Sequence, residues 1–434
     1  MVHGGGVCLR GLSQGSRAFE VRVSRFLANT KVTVEKLIDG WSAETTSVIA
    51  GRHILAIQDT SELNFRTSSD SDRGLGLIGK GVGRGVLLHP MIAVDAESGA
   101  CLGLVGGHIW TRGVDQAKPA KRNQQRPLSD KETRFWLETA QAAKSTLSAA
   151  KTVTMIADRE ADFYHMWALV PDETTHVLGR VYHDRAVVGG GSIATAARSW
   201  AVQGTREIIV RERHDRPERA ATLHLRYGQI TISRPEALRE TGMPDTATLT
   251  LIELSEPNPP ENVEPVSWRL LTSHTVSNAD DAWQIVDWYR CRWIIEQLFR
   301  TLKKQGLQIE DSQVNTAERL MKLVAIATRA AIITIQLVQA RDGQSAIAAS
   351  LVFERSEIDV IDRLNKTQYA GKTKLQQNPH QTGSIAWAGW IVARLGGWDG
   401  YPSSKLPGPI TFKRGQDQLK RMAQGWALRD VCMP

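Results

Sequence analysis

An α/β fold with a β-strand insertion and a mainly helical C-terminal region is predicted for this chain by three observations. Apolar runs of strand length alternate with segments of helical spacing from Ile54 to Val181. A long stretch of strand-like alternation follows, and apolar helical segments close the chain. Strands followed by alternating helices favour an α/β layer, because each sheet face needs helices to cover it.

The elements follow in order. Ile54 to Phe65 reads as a first strand, Gly85 to Val94 as a second and Cys101 to Trp110 as a third. Ser129 and Glu132 have capping-box spacing ahead of Phe135, Trp136 and Leu137, so a helix is expected to run to about Leu147. The apolar run Val153 to Ala157 is a fourth strand that delivers Asp158 to a sheet edge. A short helix carrying Tyr164, Met166 and Leu169 comes next, and His176 to Val181 is a fifth strand. From Tyr182 to Ser267 the alternation in 221–227 and around Leu249 and Leu251 indicates a β insertion. One helix is expected from near Asn278 to Gly306. Leu320 to Val338 follows a helix start at Asn315 and Glu318. Lys322 and Arg329 interrupt it, so it reads as a buried helix and not a membrane span.

The segment from Tyr289 to Lys303 carries the most chemistry. Residues seven apart on a helix drift by only about 20°, so Tyr289, Glu296 and Lys303 share a stripe, with Arg292 one turn from Tyr289. A solvated charged face with Tyr289 and Trp293 in the core is the plain alternative. Asp59 adds a carboxylate inside an apparent strand core, where it is costly without a partner. Asp59, Asp158 and Glu296 can share that cost by converging on cations; packed without metal they would repel and bind protons. Oxygen-only ligation suits Mg²⁺ or Mn²⁺, and two such ions about 4 Å apart activate water or a 3′-hydroxyl and stabilise the leaving oxygen.

On Ile57-Gln58-Asp59-Thr60, the run Asp158 to Asp162, and the spacing of Tyr289, Arg292, Glu296 and Lys303, the chain resembles the DDE transposases of the bacterial insertion sequence four family, the group that includes the transposon-five transposase. The similarity extends from about Arg17 to the C-terminus, including 390–398. It implies a ribonuclease H-like catalytic core, with Asp59, Asp158 and Glu296 as catalytic residues holding two Mg²⁺ ions, for which Mn²⁺ can substitute. It also implies that Trp268 stacks on a base flipped out near the cleaved end, and that Tyr289 and Arg292 hold the neighbouring phosphate. Arg180 matches another active-site arginine of the family, and Lys303, with Lys304 as a weaker stand-in, neutralises phosphate charge. Core packing for Trp268 and an ordinary strand-end cation for Arg180 are the plain alternatives.

The resulting organisation is an N-terminal remnant of an end-binding region (1–50), a catalytic core in two parts (51–182 and 267–345), the β insertion (183–266) and a C-terminal dimerisation region (346–434). The family's helical end-recognition domain matches only Arg17 to Trp41, so a shortened or altered N-terminus is expected. Trp387, Trp390 and Trp398 suit either dimerisation or core packing.

Composition narrows the partners. The 434 residues, 41% hydrophobic, suffice for two or three domains. A net charge of +8 and a pI near 9.3 favour a polyanion. Arg206, Arg211, Arg213, Arg216, Arg219 and Arg226 make the insertion basic, as a phosphate-tracking surface or as a plain charge cluster. Cys8, Cys101, Cys291 and Cys432 are scattered, which argues against a zinc site or a secreted disulfide scaffold and for a reducing cytoplasm. Met1 to Ser16 has no apolar core and is no signal peptide. Gly74-Leu75-Gly76-Leu77-Ile78-Gly79 fits a dinucleotide fingerprint, but no apolar strand feeds it, so it reads as a loop. Gly371-Lys372-Thr373 lacks the glycine a phosphate loop needs five residues earlier, where Lys366 stands.

The function expected is cut-and-paste transposition by a homodimer, cleaving transposon-end DNA and joining it to target DNA, with no membrane partner. A catalytically silent DNA-binding inhibitor is the alternative. A generic ribonuclease H-like nuclease is a weaker third, because Trp268 and the Tyr289 to Lys303 pattern exceed what hydrolysis requires.

Overall fold

A computed structural model of the chain describes residues 7, 16–65, 73–79, 83–113, 127–210, 217–343, 347–373, 376–401 and 403–428. In chain order these form α1 (Arg17–Ala28), α2 (Val34–Asp39), β1 (His53–Gln58), β2 (Ser61–Asn64), β3 (Gly76–Ile78), β4 (Gly83–Asp95), β5 (Cys101–Trp110), α3 (Arg134–Thr146), β6 (Thr152–Ala157), α4 (Tyr164–Leu169), β7 (Thr175–Arg180), α5 (Ile193–Ser199), β8 (Gly204–Val210), β9 (Arg219–Ser233), β10 (Thr246–Ser255) and β11 (Ser267–Thr272). The helices α6 (Ala279–Arg290), α7 (Trp293–Lys303), α8 (Ala317–Ala340), α9 (Arg355–Thr367), α10 (Ile385–Leu395) and α11 (Pro409–Leu428) complete them. The chain divides into a larger unit, Met1–Ala50, Thr60–Ala120 and Trp293–Pro434, and a smaller one, Gly51–Asp59 and Lys121–Arg292.

In the smaller unit β1 pairs parallel with β6, from His53↔Thr152 to Ile57↔Ile156, and β6 parallel with β7. Both β1 and β6 are buried along all but their first residue, the continuous apolar reading of strands covered on both faces. The sheet then turns antiparallel: β11 pairs with β7, β10 with β11, β9 with β10 and β8 with β9. The stretch read as a β insertion thus holds β8, β9 and β10, with α5 packed on β9 and β10. At Gly179 a Cβ would stand 2.9 Å from the Trp167 ring, so glycine lets that indole close over β7 just before Arg180.

In the larger unit the 13-residue β4 is central, pairing antiparallel with β2, β3 and β5. Its longest helix, α8, passes the length and apolarity test for a membrane span, yet its most apolar window is 67% buried within the protein. It packs on β5, α2, α7, α10 and α11. Lys322, which interrupts the apolar run in sequence, is fully buried. Its ammonium donates to Glu318 at 2.6 Å and to the carbonyls of Leu27 and Asn29 at 3.2 and 3.1 Å, closing the C-terminal end of α1. Near the C-terminus, Leu337, Phe353, Ile361, Trp387, Ile391 and Phe412 share one core. Trp387 and Trp390 are buried there, and Trp398 packs edge-on to Trp390, so core packing accounts for these tryptophans.

Four local expectations change. The first strand is two, β1 and β2, interrupted at Asp59 and Thr60, which spares Asp59 burial inside a ladder. The helix expected from Asn278 to Gly306 is also two. After α6 the chain tightens, with the Cys291 and Arg292 amides donating to the carbonyls of Trp288 and Tyr289 at 3.0 Å, before α7 begins at Trp293. No glycine or proline marks that break. The Ser129 and Glu132 capping box does not form: α3 starts later, at Arg134, and the Ser129 hydroxyl bonds Asp130 instead. Gly76–Ile78 of the glycine-rich run is a strand paired with β4, not a loop, and feeds no helix.

Candidate active site

The parallel register of β1 and β6 places Asp59 and Asp158 side by side. Ile57 pairs with Ile156, so two residues on, both carboxylates leave neighbouring strands at the same level. Carboxyl ends of parallel strands are where open α/β sheets build sites. The Asp158 carboxylate accepts the Glu160 amide at 2.7 Å, starting the 3-10 turn Arg159–Ala161. Asp59 Oδ2 accepts Arg292 Nη1 at 2.9 Å, with both side chains less than a fifth exposed. A pair so shielded is stronger than a surface ion pair.

Arg292 stands in the tight turn after α6, one turn from Tyr289. Tyr289 is buried and meets Trp268 edge-on, with ring centres 5.6 Å apart and planes at 73°. Trp268 is the second residue of β11, and β11 lies beside β7, whose last residue is Arg180. The Arg180 guanidinium lies 5.8 Å from the Trp268 ring centre and donates to the Ser267 carbonyl at 3.0 Å. Burial pushes the Tyr289 phenol up, against the pull of Arg292 and Arg180, so its hydroxyl stays a donor near neutral pH. Burial pushes the Arg180 guanidinium down, and the neighbouring Arg159 and Arg292 charges act in the same direction; at neutral pH it remains a cation. Asp59, Asp158, Arg180, Trp268, Tyr289 and Arg292 therefore meet in the smaller unit. A phenol, an indole and guanidinium groups placed together can hold a phosphodiester and a stacked ring.

Glu296 and Lys303 lie in the larger unit, half-buried in the first and last turns of α7. Burial pushes the Lys303 ammonium down, while Glu310 and Glu62 push it up. Glu310 accepts the Asn64 amide at 2.9 Å, and Glu62 accepts the Gly79 amide at 2.7 Å and Arg112 at 3.3 Å. Lys304 is exposed. Trp293, taken with Tyr289 as a core candidate, is 40% exposed, so only the tyrosine is packed away.

Among the described residues, no group of three or more His, Cys, Asp or Glu side chains is arranged to hold a metal ion. Asp59 and Asp158 nonetheless fit Mg²⁺ or Mn²⁺ as hard oxygen donors at adjacent strand ends, with one Asp59 oxygen engaged by Arg292.

The basic insertion differs from its sequence reading. Arg206 donates to both oxygens of Asp287 at 3.0 and 2.9 Å, and lies over Trp283. Arg219 pairs with the buried Glu256. Arg226 bonds Ser255 and the Trp200 carbonyl, 3.8 Å from Glu253, which Arg269 also holds. Acids of the same unit neutralise these cations: Asp287 on α6, Glu253 on β10 and Glu256 just after it. Arg211, Arg213 and Arg216 lie outside the described residues.

Sequence reasoning assigned no role to Asp162. Its buried carboxylate accepts the amides of Tyr182 and His183, the Trp167 indole and Arg185, tying the turn after β6 to the segment after β7. Its place at the end of the run Asp158 to Asp162 was its only signal.

A solved structure similar to this chain is that of a piggyBac transposase synaptic complex with hairpin DNA. It is 10% identical over 89% of this chain and 55% of that one, with a TM-score of 0.39, a likeness too slight to carry an argument. The family model described as "Transposase DDE domain" matches residues 88–333, which include Asp158 and Glu296 and leave out Asp59. That match spans more than half of the sequence, and the chain belongs to the DDE transposase family.

Proposed function

We propose that this chain is a cut-and-paste DNA transposase of the insertion sequence four group. The observation that supports it most is the level placement of Asp59 and Asp158 at adjacent parallel strand ends, in a chain of the DDE family. The catalytic core is read as ribonuclease H-like: β1, β6 and β7 run parallel and carry two of the three carboxylates at or near their ends.

Asp59, Asp158 and Glu296 are the residues that would hold two Mg²⁺ ions, or Mn²⁺ in their place. Such ions would activate water and then a 3′-hydroxyl, and stabilise the leaving oxygen. Arg292 has two tasks: its guanidinium orients the Asp59 carboxylate and, with the Tyr289 hydroxyl, grips a phosphate of the transposon end. Trp268 offers its face to an unstacked base, Arg180 holds charge beside it, and Lys303 neutralises phosphate. The partners are transposon-end DNA and target DNA, the working form is a homodimer in the cytoplasm, and a DNA hairpin is the intermediate if the family's route holds.

The test is Mg²⁺- or Mn²⁺-dependent cleavage of duplexes carrying the element's ends by the full chain, beside Glu296→Ala. Nicking or hairpin formation that the substitution removes supports the reading. Binding without cleavage by either form replaces it with the inhibitor.

A further inference from the structure

The turn Arg159–Ala161 is held at both ends. The Asp158 carboxylate caps it through the Glu160 amide, and Asp162, the residue after it, is buried under the donors already described. The backbone of Arg159 is thus fixed, while its side chain is exposed. Among the described residues its guanidinium makes no hydrogen bond or ion pair. The turn packs on β7, which ends at Arg180, and the charges of Arg159 and Arg180 oppose each other, with Glu264 acting the other way on Arg180. Two guanidiniums beside one another on a rigid frame repel, and an anion between them removes that cost. The contrast with Arg206, Arg219 and Arg226, each engaged by carboxylates, fixes where positive charge is available.

We propose that Arg159, paired with Arg180, is a phosphate-binding residue for the DNA backbone, and that the insertion arginines Arg206, Arg219 and Arg226 do not contact DNA. This deepens the transposase reading and rests on it for the identity of the polyanion. Arg159 adds a backbone contact outside the set Arg180, Tyr289, Arg292 and Lys303. Such a contact positions the duplex without reading sequence.

The experiment measures binding of the full chain to a labelled mixed-sequence DNA duplex across a series of salt concentrations, for wild type, Arg159→Gln, Arg159→Lys and Arg226→Gln. Arg226→Gln is a folded control, since Arg269 still holds Glu253. Removing one cation from a phosphate lowers the slope of log affinity against log salt by about 1. Expected are a slope lower by about 1 and several-fold weaker binding for Arg159→Gln, recovery in Arg159→Lys, and an unchanged slope for Arg226→Gln. An unchanged slope in Arg159→Gln, an equal fall in Arg226→Gln, or no binding by wild type overturns the proposal. Cleavage distinguishes the two readings: Arg159-dependent binding by a protein that never cuts sustains this inference while the catalytic reading fails.

Discussion

The strand ends of the smaller unit and its antiparallel half, β8 to β10, are both rich in arginine, and they use it in opposite ways. Across the antiparallel strands each described arginine of the basic run is matched by an acid of the same unit: Arg206 by Asp287, Arg219 by Glu256, Arg226 by Glu253. At the parallel strand ends Arg292 meets Asp59, but Arg159 and Arg180 sit on packed elements and oppose one another's charge. A count of basic residues therefore overstates the unpaired positive charge of the described insertion strands and understates that of the turn after β6. What draws a polyanion is charge left over after internal pairing, not charge in the sequence.

The sharpest way to break this comparison is to remove the acids at the strand ends and on α7. Asp158→Asn or Glu296→Ala is expected to cut metal-dependent cleavage more than about 100-fold, beyond the roughly 10–100-fold typical of groups that only orient ligands, while duplex binding persists. Cleavage within about tenfold of wild type would remove these carboxylates from the chemistry. On the other side, Arg219→Gln leaves Glu256 buried without its guanidinium. Removing one partner of such a pair leaves the other without its counter-charge and destabilises the fold, so denaturant unfolding should show a lower midpoint with the salt slope of DNA binding unaltered. A lower slope in a protein of unchanged stability would mean Arg219 faces DNA after all.

Trp268→Ala separates stacking from packing. Stacking on an unpaired base is worth about 1–3 kcal/mol, so binding to hairpin-ended DNA should weaken by that amount while binding to a blunt duplex holds. Equal weakening of both would make Trp268 a structural support for Tyr289. The effect that is smallest at neutral pH lies toward the opposite ends of the same parallel strands. There His274 stacks on His176 with ring centres 3.8 Å apart, and shares the Thr154 hydroxyl with His53. Burial, then the charges of His176 and His53, push His274 down to about 3. Its neutral form is the folded one, so its stabilisation is complete above the ordinary histidine value of 6.5. It fades as pH falls from there toward about 3, because the unfolded chain takes up the proton first. Each pH unit in that window costs about 1.4 kcal/mol, and His274→Asn should flatten the acid side of the stability profile. A profile with the same slope would assign the acid sensitivity elsewhere.

The strands could be read from local pattern because burial on both faces writes itself as unbroken apolar runs, as in β1 and β6. The helices α3 and α8 were legible from periodicity, and Asp59 and Asp158 because a carboxylate closing an apolar run is costly unless it is used. Three things were decided only by the tertiary structure. The break between α6 and α7 has no glycine or proline behind it; it accompanies an Arg292 contact with Asp59 that spans 233 positions of sequence. Lys322, which looked like an interruption of an apolar helix, found the Leu27 and Asn29 carbonyls at the end of α1. The pairing of the insertion arginines depended on strand register, which sets Arg226 opposite Glu253 and cannot be seen from either residue alone. The residues themselves determine which groups are expensive to bury; only the fold supplies the partner that offsets each one, because those partners lie far away along the chain.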